Sequence, residues 1–362
     1  MKTVKSSQKR LAVQLQETES IGPLFKIRQG GRYGFINTIG KVVIQPQYLD
    51  AEPFHGEFTR VRFNDKFVPL DKLGRLLLRH VFNFVGQFNE GLSRVMLVHR
   101  WGYINEVGAL IVEPIYEAAG DFSEGLATVV QNGKHGCLNR VGEWVIDPTF
   151  EFIGPFSGGL AVARTEEKSG YINAKGDWVI DPIFEAAGDF QGETAVITSG
   201  DRWGLIDRKG RIICPPTYAM DGDISDINFV EGLTMCIIDD RTGYVNESGA
   251  LAIAPAYPNA QPFSDGLAAV QREGLWGFID SKGKFIIEPR FDEVNSFSEG
   301  YAVVRRGDWW SFVDTNGDEL DIARYDALGD FENGLAWTSL GNLWRYVDVK
   351  GKEVWLEEVD SK

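Results

Sequence analysis

The sequence predicts an all-β fold: a tandem array of about ten three-stranded antiparallel meanders with a 34-residue period. Two observations carry that prediction. A glycine preceded three residues earlier by Asn or Asp recurs at Gly40, Gly74, Gly108, Gly142, Gly176, Gly210, Gly249, Gly283, Gly317 and Gly351. Every step is 34 residues except that from Gly210 to Gly249, which is 39. The segments between these sites alternate with period two, are rich in Val, Ile and aromatics, and are broken by Gly or Pro within ten residues. The helical tetratricopeptide repeat shares the period, but no helix of three turns fits.

Taken in chain order, residues 1–21 carry Lys2, Lys5, Lys9 and Arg10 and lack an apolar run long enough for a secretory signal or a membrane span. They read as a flexible tail or short capping helix, and the protein as cytoplasmic. Residues 22–28 align with the third strand of a copy. The copy at 276–308 shows the rest. A first strand (276–280) leads into the turn, in which Asp280 accepts local N–H bonds and Gly283 takes a left-handed conformation. The second strand (285–288) runs to Pro289, where pairing stops or an edge begins. Pro46, Pro114, Pro148, Pro182, Pro216 and Pro255 are its equivalents. An aromatic two residues on, as in Phe291, and another after a polar connection, as in Phe297, form columns expected to stack through the core. A third strand follows, such as 300–305. Residues 344–356 supply only two strands, so a unit counted as third, first, second strand gives ten complete meanders in a single array over 22–357, followed by a tail at 358–362. An open superhelical array is favoured over a closed, propeller-like toroid, because ten three-stranded blades depart from the usual propeller in strand count and blade number.

The runs Trp101-Gly102-Tyr103-Ile104-Asn105, Trp203-Gly204-Leu205-Ile206-Asp207 and Trp276-Gly277-Phe278-Ile279-Asp280 each precede x-x-Gly and an Ile/Val-rich strand ending in Pro. They resemble the bacterial WG-repeat family over nearly all of residues 22–357. Tyr33-Gly34, His135-Gly136, Ser169-Gly170 and Thr242-Gly243 keep only the glycine, whereas Phe67-Val68, Trp310-Ser311 and Trp344-Arg345 lose it. The resemblance implies a β-repeat fold and a binding role, and transfers no catalytic residue.

The net charge of −15 argues against duplex nucleic acid and against an anionic membrane as partners. Cys137, Cys214 and Cys236 fall at different repeat positions and read as small buried hydrophobes in a reducing compartment. Neither a zincin, a phosphate-binding loop, a nucleophile elbow nor a dinucleotide fingerprint is present, and His55, His80, His99 and His135 occupy dissimilar positions, so no enzyme activity, cofactor or metal is expected.

Variation on the repeated scaffold points to binding. The position two after the third-strand glycine is small in most copies, as in Ala127, Ala161, Ala195, Ala268, Ala302 and Ala336. The next position drifts from Lys26, Arg60 and Arg94 to apolar residues and Trp337. Arg28 and Arg62 lie on the same strand face as Lys26 and Arg60, and these five side chains are expected to form a basic patch not saturated by carboxylates. The five-residue insertion falls between Tyr218 and Phe229 and makes one connection long and acidic, with Asp221, Asp223 and Asp226. Trp309, Trp310, Trp337, Trp344 and Trp355 crowd the last 54 residues and are expected to cap the array. The function expected is a non-enzymatic, protein-binding scaffold using the variable strand face and long connections, one version being a binder that neutralises a basic protein. The alternative is a glycan or cell-envelope ligand bound through exposed tryptophans.

Overall fold

All ten Asx-x-x-Gly sites close hairpins in the computed structural model, which describes residues 21–54, 56–63, 66–76, 82–106, 108–320 and 325–358. At each site the glycine N–H donates to the Asx carbonyl at 2.8–3.0 Å, and the glycine has φ between +71° and +92°. The Asx side chain completes the turn: Asp280 Oδ1 accepts from the Lys282 and Lys284 N–H groups, both at 2.9 Å. Local chemistry therefore selects the same turn ten times over. Residues 1–20, Ala323 and 359–362 lie outside the described residues, and with them most of the expected tails.

The glycine of the Trp-Gly pair has a separate cause. Trp276 pairs with Phe291 and Phe278 with Ile287, so residues 288–290 bulge opposite Gly277 alone. A Cβ on Gly277 would sit 2.5 Å from the Ile287 carbonyl oxygen and 2.7 Å from Pro289 N. Only glycine lets the bulge close down, and proline suits it because no N–H has to find a ladder partner there. The same close approach occurs at Gly34, Gly102, Gly136, Gly170, Gly204 and Gly243.

By its internal contacts the chain divides into two compact units: residues 1–149 with 354–362, and residues 150–353. Within the first, the meander Leu24–Gln29, Arg32–Asn37, Val42–Tyr48 is followed by the hairpin Phe58–Phe63, Lys66–Asp71 and the four-stranded sheet Phe84–Asn89, Leu92–Leu97, Arg100–Asn105, Leu110–Tyr116. The second opens with Phe152–Ile153, Leu160–Thr165, Lys168–Asn173 and Trp178–Phe184 as one four-stranded sheet, and continues with a seven-stranded sheet from Ala186–Ala187 to Leu251–Tyr257. Pairing is antiparallel throughout, and no sheet of the described residues closes on itself as a barrel.

Both aromatic columns are buried, as at Tyr116 and Phe291 in the one and Phe122 and Phe297 in the other, and the second packs on aromatics of the first strands. Tyr103 meets Phe122 with ring centroids 4.9 Å apart, as Phe278 meets Phe297 at 4.8 Å. The Tyr103, Tyr171 and Tyr244 hydroxyls each donate at 2.7 Å to a carbonyl 17 residues on, which satisfies the polar tip of a buried ring. Turn glycines seat against the branched residue of the preceding copy, Gly210 on Ile180 and Gly283 on Ile253. In the first unit Gly40 seats in the same way on Val354, and Arg28 pairs with Glu357 at 2.9 Å. The C-terminal residues thus complete the packing of the first meander.

Candidate binding cleft at the inserted loop

The insertion breaks a bond that the other copies make. Gly120, Gly154 and Gly188 in the ordinary connections donate their N–H to the Thr128, Val162 and Val196 carbonyls at 2.8–2.9 Å. The equivalent carbonyl of the inserted copy belongs to Met235, and among the described residues no connection amide donates to it. Pairing between strands Ile212–Ala219 and Leu233–Ile238 shrinks to Ala219 opposite Ile237. The chain turns outward instead, through one 3-10 turn at Ile224–Asp226.

That loop is nonetheless fixed. Asp223 Oδ1 accepts the Ser225 N–H at 3.1 Å, and Asp226 Oδ2 accepts the Asp223 N–H at 2.9 Å, a reciprocal capping box. The Ser225 amide and hydroxyl bonds hold the Asp223 carboxyl below the ordinary carboxylate range. Ile224, Ile227 and Phe229 pack on a core that includes Trp203 and Tyr218. From the preceding copy, Gln191 Nε2 donates to the Ile227 carbonyl at 2.9 Å while its Oε1 accepts the Phe229 N–H at 2.7 Å. The acidic loop is anchored on its apolar side.

Between loop and sheet lies a cleft of about 390 Å³. Its lining includes Ile227, Thr234, Met235 and Ile237 together with the carboxylates Asp221, Asp226 and Asp240. Thr234 is only 6% exposed as a residue; its hydroxyl is not one of those sealed from solvent, and among the described residues it makes no hydrogen bond. Its counterparts in two other copies do make one: Thr59 donates to the Glu52 carbonyl at 2.7 Å and Ser93 to the Gly86 carbonyl at 2.8 Å. The connection that supplies the acceptor in those copies has swung away here, leaving the Thr234 hydroxyl without it at the wall of the cleft. Among the described residues no group of three or more His, Cys, Asp or Glu is arranged to hold a metal ion.

The basic column is not an unsaturated patch. Arg60 makes a bidentate pair with Glu52 at 2.6 and 2.5 Å and reaches the Val85 carbonyl of the next copy at 2.9 Å. Arg94 pairs with Asp121 at 3.0 Å and donates to the Ala119 carbonyl, again in the next copy. Arg28 is held by Glu357, whose hydrogen bond raises its pKa. Lys26 lies over the Tyr33 ring at 5.4 Å, and Arg62 is exposed on the strand Phe58–Phe63. In later copies the same column is buried, at Val162, Val196, Ala269 and Val303. It is an inter-copy packing position whose arginines bridge neighbours, which explains both its cationic and its apolar forms. Trp337 is 39% exposed and tilted 31° against Trp344, with centroids 6.3 Å apart. Trp101, Trp144 and Trp178 pack edge-on against Phe84, Tyr116 and Phe150. Burial pushes the Cys137 and Cys236 thiols up to about 11, so they stay protonated at neutral pH.

Ile227, Thr234, Met235, Ile237 and Asp240 were not singled out as site residues from sequence. The available signal was Thr234, a hydroxyl in the inserted copy of a column otherwise mostly alanine.

Comparison with known proteins agrees on where the pattern breaks. The model for the family described as WG containing repeat matches residues 33–67, 70–97, 101–134, 136–168, 170–202, 203–219, 243–276, 276–308 and 310–344. The interruption at 220–242 covers the inserted loop and the strand that carries Thr234 and Met235. No curated protein sequence matches the chain significantly. Among solved structures, the crystal structure of the eukaryotic initiation factor is similar with a TM-score of 0.54 at 12% identity, covering 93% of this chain and 96% of that one. The structure of Kluyveromyces lactis Hsv2p has a TM-score of 0.36 at 12% identity, over 65% of this chain and 95% of that one. The first likeness is one of fold.

Proposed function

This chain belongs to the WG-containing repeat family, and from that premise we propose that it is a non-enzymatic scaffold that binds another protein through the cleft at its inserted loop. One observation carries the reading: the single departure from the 34-residue period coincides with an anchored loop, a 390 Å³ cleft and a hydroxyl that lacks the acceptor its counterparts use. Insertions in repeat arrays commonly lie on the binding face, because they can vary without disturbing the stack. A cytoplasmic setting belongs to the same proposal, in keeping with three buried free cysteines. Among the described residues no helix is long and apolar enough to cross a membrane.

Met235→Trp tests this. The same column holds Trp337 in the last copy, so the repeat accommodates the larger side chain, which here would fill the cleft. Partner capture by the full chain should fall by at least about tenfold, roughly 1.4 kcal/mol, with the unfolding midpoint within a few degrees of wild type. Undiminished binding of the purified partner would refute the cleft as the site.

A further inference from the structure

We infer that the cleft takes the cationic end of a lysine or arginine side chain presented by the protein partner, an inference that rests on the cleft being the partner-binding site. Three carboxylates line it, and among the described residues none of Asp221, Asp226 and Asp240 is in an ion pair. Asp226 spends one oxygen on the Asp223 N–H; its second oxygen, and both oxygens of Asp221 and Asp240, make no hydrogen bond among the described residues. Some acidic side chains elsewhere are matched locally, as Asp207 is by Arg211 and Glu288 by Arg272. An unmatched group of like charges around a low-dielectric wall attracts a cation and repels phosphate or carboxylate ligands.

The acidic cluster does not stand alone. Thr234, whose hydroxyl makes no hydrogen bond among the described residues, offers an acceptor to an ammonium or guanidinium hydrogen. The Met235 carbonyl, deprived of its usual connection amide, is a second acceptor on the same strand. Ile227, Met235 and Ile237, each partly exposed, supply the surface along which the methylene stem of a long basic side chain lies. An anionic rim, apolar wall and hydroxyl match the two ends of a lysine or arginine better than they match any uniformly polar or uniformly apolar group. The net charge of −15 favours approach of a basic partner surface.

The chain has four methionines, Met1, Met96, Met220 and Met235, so methyl-13C-methionine labelling of the full chain reports on the cleft with little overlap. N-acetyl-lysine-N-methylamide should shift the Met235 methyl saturably, and its apparent affinity should drop by about fivefold between about 50 and 300 mM salt. The norleucine analogue, which keeps the stem and loses the charge, should leave Met235 unmoved. Asp221→Asn with Asp240→Asn should abolish the response to the lysine probe. A norleucine shift equal to that of lysine, or a response retained in the double variant, overturns the inference. Putrescine binding more tightly than the lysine probe would transfer the site to a free diamine and overturn the partner side chain as its occupant. A silent lysine probe combined with partner capture that Met235→Trp abolishes would remove the ligand class and keep the cleft as the site. Capture insensitive to Met235→Trp removes both.

Discussion

Glycines at positive φ in this chain carry two distinct burdens, and substitution separates them. Gly125 has φ +81° with nothing within 4 Å of where a methyl would stand, whereas Gly249, at φ +74°, would set that methyl 2.8 Å from Cys214 Sγ. Gly125→Ala should cost about 1 kcal/mol, the strain of the left-handed backbone alone. Gly249→Ala should cost about 1–3 kcal/mol more, because the neighbouring copy must also give way. Equal denaturation midpoints for the two variants would show that the stacking contact contributes nothing. Turn aspartates add a pH term that turn asparagines lack. N–H bonds from Lys284 and then Lys282 hold the Asp280 carboxyl below its ordinary range. A depressed folded-state pKa contributes stability above the unfolded value, about 3.9, and loses it as pH falls through the folded one. Asn246 makes the same two turn bonds without titrating. Asp280→Asn should therefore close the gap to wild type below about pH 4, and a midpoint difference unchanged between pH 7 and about pH 2.5 would contradict it. Arg60, read from sequence as a free cation, is bound to Glu52 and Val85, so charge reversal there should destabilise the fold rather than act only on a partner.

At the scale of the element, the Trp-Gly glycine and the proline form one device. Glycine is present at Gly34, Gly102, Gly136, Gly170, Gly204, Gly243 and Gly277, and the same copies carry Pro46, Pro114, Pro148, Pro182, Pro216, Pro255 and Pro289. The copies with Val68, Ser311 and Arg345 in place of glycine lack the proline as well. The bulge explains the pairing: a side chain opposite it collides with backbone, and without the bulge the proline has no place. Gly277→Ala should cost more than about 3 kcal/mol, since the 2.5 Å approach is to a carbonyl oxygen that cannot rotate away. A loss under about 1 kcal/mol would mean that the bulge relaxes freely. This coupling was legible in the sequence as two columns that come and go together. Its cause was not, because a register shift appears only when strands are paired.

For the whole molecule, the first described strand is tied within the first unit to residues far along the chain, Arg28 to Glu357 and Gln29, donating at 2.8 Å, to Glu358. The Arg28 side chain is about a third exposed, so the pair itself is screened, and Glu357→Ala should cost about 1 kcal/mol. Deleting residues 354–362 should cost more, because Gly40 then loses the Val354 contact that its counterparts have on Ile180 or Ile253. A truncated chain with an unchanged unfolding midpoint would show that these residues are not part of the stability of the fold. By itself the sequence determined the strands, ten turns and two aromatic core columns, since each depends on residues within one copy and the copies repeat the message. Tertiary structure alone decided the fate of the arginine column and the existence of the cleft. Arg60 finds its carbonyl 25 residues away, Arg28 its carboxylate 329 away, and Thr234 loses its acceptor because a distant-looking insertion moves it. Which charges are neutralised and which hydroxyl stays unpaired depends on groups that only packing brings within about 3 Å.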